Sequence, residues 1–238
     1  RQQASVKGAR IVSMPGVIKE MLLGAMNLSK DVLDEMVVYG ERYADILTKG
    51  KRVHLSTPGG TDLVFSIENR TGMVETGVNH CPGDFSNLPA GEAFIAPVEG
   101  SAEGTIVYDA TVAMFGYVDQ PVVIKVEKGI VVDIKGGKIA DKLRVMLEDH
   151  DKWSRYIAEL GIGLNPKAKI CGINLQDEKV RGTVHIALGD NSTFGGKVVA
   201  DSHIDGVMLK PTLKVDGITV MADGEWGCDG RCSQTLLG

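Results

Sequence analysis

The rhythm of apolar and polar positions changes along the chain. Residues 9–14, ARIVSM, form a short apolar stretch that predicts a strand, with Pro15 marking its end. VIKEMLLGAMN, residues 17–27, reads as a helix. A longer helix follows, because Leu33, Met36, Val37, Tyr43 and Leu47 recur at helical spacing. Ser29 is its expected N-cap and Gly50 its C-terminal stop. The period then shortens. RVHLST and DLVFSIE read as two strands joined through Pro58-Gly59-Gly60.

From about residue 72 glycines multiply and short strand patterns dominate: GTIVYD, PVVIKVE, GIVVDIKGG and TLKVDGITVM. Asp216-Gly217 in the last suits a two-residue hairpin turn, which needs positive φ. One helix is expected in this region, over DHDKWSRYIAELG, where Trp153, Tyr156, Ile157 and Leu160 share a face and Gly161 ends it. The fold class is therefore α+β. An α/β segment over residues 1–70 precedes a larger, mostly β domain over residues 71–238, with that helix packed on it.

Composition narrows the function classes. With 43% apolar residues in 238, the chain can bury a sizeable core. Its 26 basic against 31 acidic side chains give a net charge of −5, which argues against a nucleic-acid partner. Cys81, Cys171, Cys228 and Cys232 lack zinc-type pairing, apart from the close pair Cys228 and Cys232, and read as free thiols. No apolar run approaches the roughly 18 residues of a membrane span, and no signal peptide is evident, so a cytoplasmic protein without a membrane partner is expected. The opening RQQASVKGARIVSMPGV begins with Arg1 and reads as the middle of a longer chain.

Candidate chemistry concentrates in HIALGDNSTFGGKVVADSHIDGVM, residues 185–208, where two of the five histidines flank a glycine-rich loop. His203 and Asp205 are two apart on an extended segment and share a face, about 7 Å apart at Cα. With His185 they offer two nitrogens and one oxygen, a set suited to catalytic zinc or non-haem iron(II). Glu92 in NLPAGEAFIAP and Glu159 beside the expected apolar stripe raise the set to five, which suits two ions sharing carboxylates. Each also has a plainer reading: a solvated glutamate, a hydrogen-bonded core imidazole, or, for Asp205-Gly206, an ordinary turn. The loop GDNSTFGG lacks the lysine-serine ending of a phosphate-binding loop. Ser101 and Ser202 have no nucleophile context, His80 and Cys81 are adjacent and not aimed at one another, and His150 lies in a solvated charge run. Glu99 and Glu103 flank a turn close in sequence to Glu92 and are candidates to support a site from behind.

The blocks NLPAGEAFIAP, EGTIVYD, YIAELGIGLNP, HIALG and DSHIDGVM, in this order, resemble the thermophilic-type metallo-aminopeptidases, the aminopeptidase T and aminopeptidase S family. GGTDLVFSIENR resembles the stretch before that family's catalytic domain, and the likeness covers roughly residues 53–223. The resemblance implies two divalent ions (zinc, cobalt or manganese) held by Glu92, Glu159, His185, His203 and Asp205. It implies hydrolysis of an N-terminal peptide bond in a short peptide, with Glu92 moving the proton of a metal-held water. It also implies a homodimer and a larger N-terminal α/β domain, of which residues 1–70 would be a remnant. Two features depart from the pattern. The family's tyrosine seven residues after the first histidine is Ser192 here, which lacks a phenol's reach but stays a candidate at the site's margin. The interval from His185 to His203 is also short.

The related 2,5-dihydroxypyridine ring-cleaving dioxygenases have a similar catalytic domain and use one iron(II). In that alternative His185, His203 and Asp205 are the two-histidine, one-carboxylate set, Glu92 and Glu159 lie behind it or act as base, and the substrate is a small hydroxylated aromatic. The expected order is peptidase-like hydrolase, then dioxygenase, then an inactive dimerising scaffold.

Overall fold

A computed structural model describes residues 2–226; the pair Cys228 and Cys232 lies outside them. Two antiparallel sheets dominate. An eight-stranded sheet runs, side by side, through Ile130–Lys135, Val122–Glu127, Glu103–Tyr108, Asp62–Ser66, Arg52–Ser56, Thr212–Val215, Ile218–Ala222 and Glu225–Trp226. Strands from both sides of residue 70 are therefore neighbours in one sheet. The seven-stranded sheet runs through Met73–Glu75, Glu92–Ile95, Ile157–Gly163, Thr183–Gly189, His203–Leu209, Thr111–Val112 and Gly116–Tyr117. Both sheets contribute to one apolar cluster, with Leu55, Leu63, Phe65, Ile106 and Ile124 from the first and Ile95, Leu160, Ile186 and Met208 from the second. Ile11–Ser13 pairs in parallel with Phe85–Asn87 as a separate small sheet.

The expected N-terminal elements form. Lys19–Leu23 and Lys30–Lys49 are helices, and the Ser29 hydroxyl accepts from the Val32 N–H at 3.5 Å. The longer helix buries Met36, Gly40, Tyr43, Ala44 and Leu47, and Tyr43 donates to the Val220 carbonyl. Gly50 stops it in extended backbone, φ −73°, not in the left-handed conformation expected of a C-terminal glycine. Glycine is needed there for space, since a Cβ would lie 2.3 Å from Val215 Cγ1. The Asp216-Gly217 turn has φ of 50° and 81°, as the hairpin requires.

The expected helix over residues 149–161 is absent. Asp151 caps a single 3-10 turn, Lys152–Arg155, and Ile157–Gly163 is a strand buried at every position. Neighbouring strands flank it on both edges and both its faces are covered, so its apolar residues need no alternation. Such a run cannot be told from a buried helix by period alone. The helix of this region is instead Lys138–Asp149, with Ile139, Ala140, Leu143 and Leu147 inward and the Asp119 carboxylate capping the Lys138 and Ile139 N–H groups.

Candidate metal centre

The seven-stranded sheet gathers all five candidate ligands on one face through its register. Glu159 pairs with Ala187, which pairs with Asp205 across the next strand. Directly paired residues point the same way, as do residues two apart on a strand. His185 therefore joins Ala187, His203 joins Asp205, and Glu92 joins Phe94, whose partner is Gly161 opposite His185. Glu159 reaches this face because its segment is a strand and not a helix. The neighbours make room: a Cβ on Gly161 would lie 2.0 Å from His185 Nε2.

His185 Nε2 lies 3.5 Å from Glu92 Oε2 and 3.7 Å from Glu159 Oε1. His203 Nε2 lies 3.1 Å from Glu159 Oε2 and 3.3 Å from Asp205 Oδ1. Three overlapping groups have ligand atoms within 4.8 Å of one another: Glu92 with Glu159 and His185, Glu159 with His203 and Asp205, and Glu178 with His185 and Asp205. No group holds both histidines; Glu159 and Asp205 each stand with one imidazole and then the other. Glu92, Glu159, His185 and Asp205 are buried, and the His203 side chain is 33% accessible. His203 Nδ1 meets the Asp190 carbonyl at 2.7 Å, which orients the ring and leaves Nε2 facing the carboxylates.

Four participants, Lys179, Glu75, Glu178 and Asn174, escape a reading of the sequence. Lys179 sits fully buried beneath Glu75, Glu92 and Glu178, with Nζ 3.3, 2.5 and 2.7 Å from their oxygens. Asn174 donates to Glu178 Oε2 at 2.7 Å and to Asp205 Oδ2 at 2.8 Å, tying the two carboxylates together. Glu178 itself stands in one of the three ligand groups. The string QDEKVRG carries no pattern separating such buried charges from a solvated turn.

The supporting candidates lie elsewhere. Glu99 pairs with Arg70 and accepts from the Lys197 N–H at 2.7 Å. Glu103 is exposed and accepts from the Lys128 N–H, and Ser192 bonds the Asp190 carboxylate. None of the three lines the site's cavity. They stay near the surface because their backbone and charge partners are there. Thr193 and Phe194 of the same loop do line it, and the Phe194 ring stands edge-on to His203 at 5.8 Å and to Phe94 at 5.7 Å.

Electrostatics divide the carboxylates. Burial raises the Glu92 carboxyl to about 8, against the pull of the Lys179 ammonium. Glu178 is raised by burial in the same way. Burial also opposes ionisation of Glu159, but hydrogen bonds from His185 and His203 outweigh it and hold the group at about 2. Asp205 is likewise lowered, burial being overcome by the His203 charge. Burial pulls the His185 pKa down, while Glu159 and Glu92 lift it to about 9.

The donor set fits a divalent cation. Five carboxyl groups (Glu75, Glu92, Glu159, Glu178 and Asp205) face one ammonium and two imidazoles, and a bound cation would favour the ionised forms of Glu92 and Glu178 that burial now opposes. Glu92 Oε2 and His185 Nδ1 are buried without a hydrogen-bond partner. A bound cation would relieve the first directly and would displace protons from the imidazoles.

A model of the NicX family, 2,5-dihydroxypyridine 5,6-dioxygenase, matches residues 1–227. The chain is 26% identical over 193 residues to the 2,5-dihydroxypyridine 5,6-dioxygenase of Pseudomonas putida, covering 76% of this chain and 55% of that protein. It is 27% identical over 190 residues to aminopeptidase AmpS of Bacillus subtilis, covering 70% and 45%. The solved structure of the Pseudomonas putida dioxygenase superposes with a TM-score of 0.82 at 25% identity, over 96% of this chain and 68% of that one. AmpT of Thermus thermophilus shares the fold with a TM-score of 0.70 at 21% identity, over 87% and 57%. The chain thus spans about half the length of the curated relatives it matches. Both resemblances expected from the sequence are present, and their order is reversed: the family match puts the dioxygenases ahead of the peptidases.

Proposed function

Because the chain belongs to the NicX, 2,5-dihydroxypyridine 5,6-dioxygenase, family, we propose that it is a metal-dependent dioxygenase that opens the ring of a small hydroxylated aromatic, with 2,5-dihydroxypyridine as the first substrate to try. The match over residues 1–227 is the observation that carries this reading. His185, His203 and Asp205 would hold iron(II) by closing onto one ion the two imidazoles, which share Asp205 but stand in separate groups, with Glu159 between them. Bound iron(II) supplies open coordination positions for dioxygen and a ring hydroxyl.

The protein's own groups do the remaining work. Phe94 and Phe194 form an apolar wall beside His203, suited to a flat ring. Glu92, whose carboxyl burial raises to about 8, would ionise beside a bound cation, and its Oε2, free of hydrogen-bond donors, is then the atom placed to take a proton from a ring hydroxyl. Asn174 keeps Asp205 in place through Oδ2, leaving Oδ1 turned toward His203. A cavity of about 1520 Å³ adjoins these groups, larger than small-ligand sites of about 300–1,000 Å³, so volume alone does not select the substrate.

The test is anaerobic loading of metal-free protein with iron(II), followed by 2,5-dihydroxypyridine and a pulse of oxygen. Oxygen uptake matched by loss of the ring's ultraviolet absorbance is the expected result. Zinc- or cobalt-loaded protein that cleaves aminoacyl amides, with no oxygen uptake by the iron form, would favour the hydrolase instead.

A further inference from the structure

Lys179 is the one fully buried lysine among the described residues, and it follows a four-residue helix, Asn174–Asp177. Its backbone is fixed on both sides, the N–H donating to the Gln176 carbonyl and the C=O accepting from the Asn165 N–H at 2.8 Å. The ammonium has three protons and three carboxylates: Glu75 Oε2 at 3.3 Å, Glu92 Oε1 at 2.5 Å and Glu178 Oε1 at 2.7 Å. Each carboxylate is tied down at its other oxygen or aimed at the ligand cluster. Glu75 Oε1 accepts from the Asn87 N–H, Glu178 Oε2 from Asn174, and Glu92 Oε2 turns to His185.

Glu92 therefore divides its two oxygens between the ammonium and the ligand cluster. Glu178 divides its own between the ammonium and the amide that also holds Asp205. In two-ion centres, carboxylates are shared in this way between neighbouring cations about 3.5–4 Å apart. Here a lysine stands on one side of the shared carboxylates. A purely stabilising role is a poor account of it, because desolvating buried charges commonly cancels what their attraction returns.

We propose that Lys179 is a built-in cation filling a second cation position of the carboxylate cluster, so that the centre takes a single divalent ion and a small neutral residue at 179 opens it to two. This rests on the metal-dependent reading above. It makes Lys179 a positioning residue whose effect shows in stoichiometry, independently of turnover.

The experiment uses the full chain, stripped of metal and titrated with manganese(II), read by native mass spectrometry and by electron paramagnetic resonance. Wild type and K179R, which keeps the charge, should each bind one equivalent. K179A should bind two, the second bringing a spin-coupled signal from ions that share a carboxylate. Two equivalents on wild type or on K179R would overturn the proposal while leaving a metal-dependent enzyme intact. So would folded K179A that stays at one equivalent under millimolar manganese. No manganese on wild type would remove the metal-dependent reading and this inference with it. Should K179A fail to fold, the wild-type and K179R titrations still decide.

Discussion

The two sheets use the same pleat for opposite purposes. In the eight-stranded sheet, Val122–Glu127 alternates strictly, with Val122, Ile124 and Val126 buried and Val123, Lys125 and Glu127 in solvent. In the seven-stranded sheet, Ile157–Gly163 and Thr183–Gly189 are buried at every position, and the polar members of the alternation, Glu159 and His185, face the cavity and not the solvent. One sheet stabilises the fold with its inner face and leaves the outer face to water. The other gives its second face to a largely buried charged cluster, whose cost is met by pairing most of its charges. Mutations should therefore separate sharply between the two.

The largest effect on chemistry is expected from D205N, which keeps size but removes one acceptor charge from the ligand cluster. Metal affinity should fall by about 100-fold or more, beyond the 10–100-fold typical of residues behind the ligands, and the metal-free protein should also melt earlier, because His203 loses its paired carboxylate. I124A in the other sheet should cost stability alone. Emptying a fully buried position costs about 2–5 kcal/mol of stability, and the folded fraction should bind metal as wild type does. Metal titrations and denaturant melts of both variants check the difference; a D205N variant that melts early but binds normally would collapse the contrast. G161A belongs on the site's side, since its Cβ would meet the His185 ring at 2.0 Å. It should lower metal affinity about as far as loss of a supporting residue does, roughly 10–100-fold, with the circular dichroism spectrum retained.

The same contrast explains what the sequence reveals. The strands around Leu55, Phe65 and Ile124 and the Asp216-Gly217 hairpin are legible because one face is wet and alternation records it. Ile157–Gly163 is misread as a helix because a strand covered on both faces leaves no polar phase to count. Glu92, Glu159, His185, His203 and Asp205 are picked out by ligand chemistry and the order of blocks, and the structure brings all five to one face. Glu75, Glu178 and Lys179 have no such signal. Their burial is a product of long-range register: Met73–Glu75 pairs with Glu92–Ile95, and the segment after Asp177 passes beneath both.

F194A tests the wall that the proposed aromatic substrate would meet. Phe194 touches His203 and Phe94 by its ring edge and holds no ligand atom. Aromatic contacts of this kind contribute about 0.5–1.5 kcal/mol beyond burial, so KM for a ring substrate should rise about 3–10-fold with metal stoichiometry unchanged. An equal loss toward ring and non-ring substrates would show that the wall acts on the site as a whole and not on the ring.

The smallest effect is expected at Glu99, on the rim between the two regimes. Its carboxylate pairs with Arg70 and accepts from Lys197, anchoring the loop that carries Phe194; Arg70 also reaches the Gly195 carbonyl. Burial opposes ionisation of Glu99, but the backbone hydrogen bonds and the Arg70 guanidinium outweigh it and lower its pKa. A lowered folded pKa means that this stabilisation is present above the ordinary glutamate value near about 4.3 and is lost as pH falls through the folded value. E99Q should therefore be less stable than wild type at neutral pH, by about 1 kcal/mol for a part-buried pair. The two proteins should converge in thermal melts below that pH. A gap that stays constant with pH would assign the loss to the loop's hydrogen bonds alone and leave the Arg70 charge without a role.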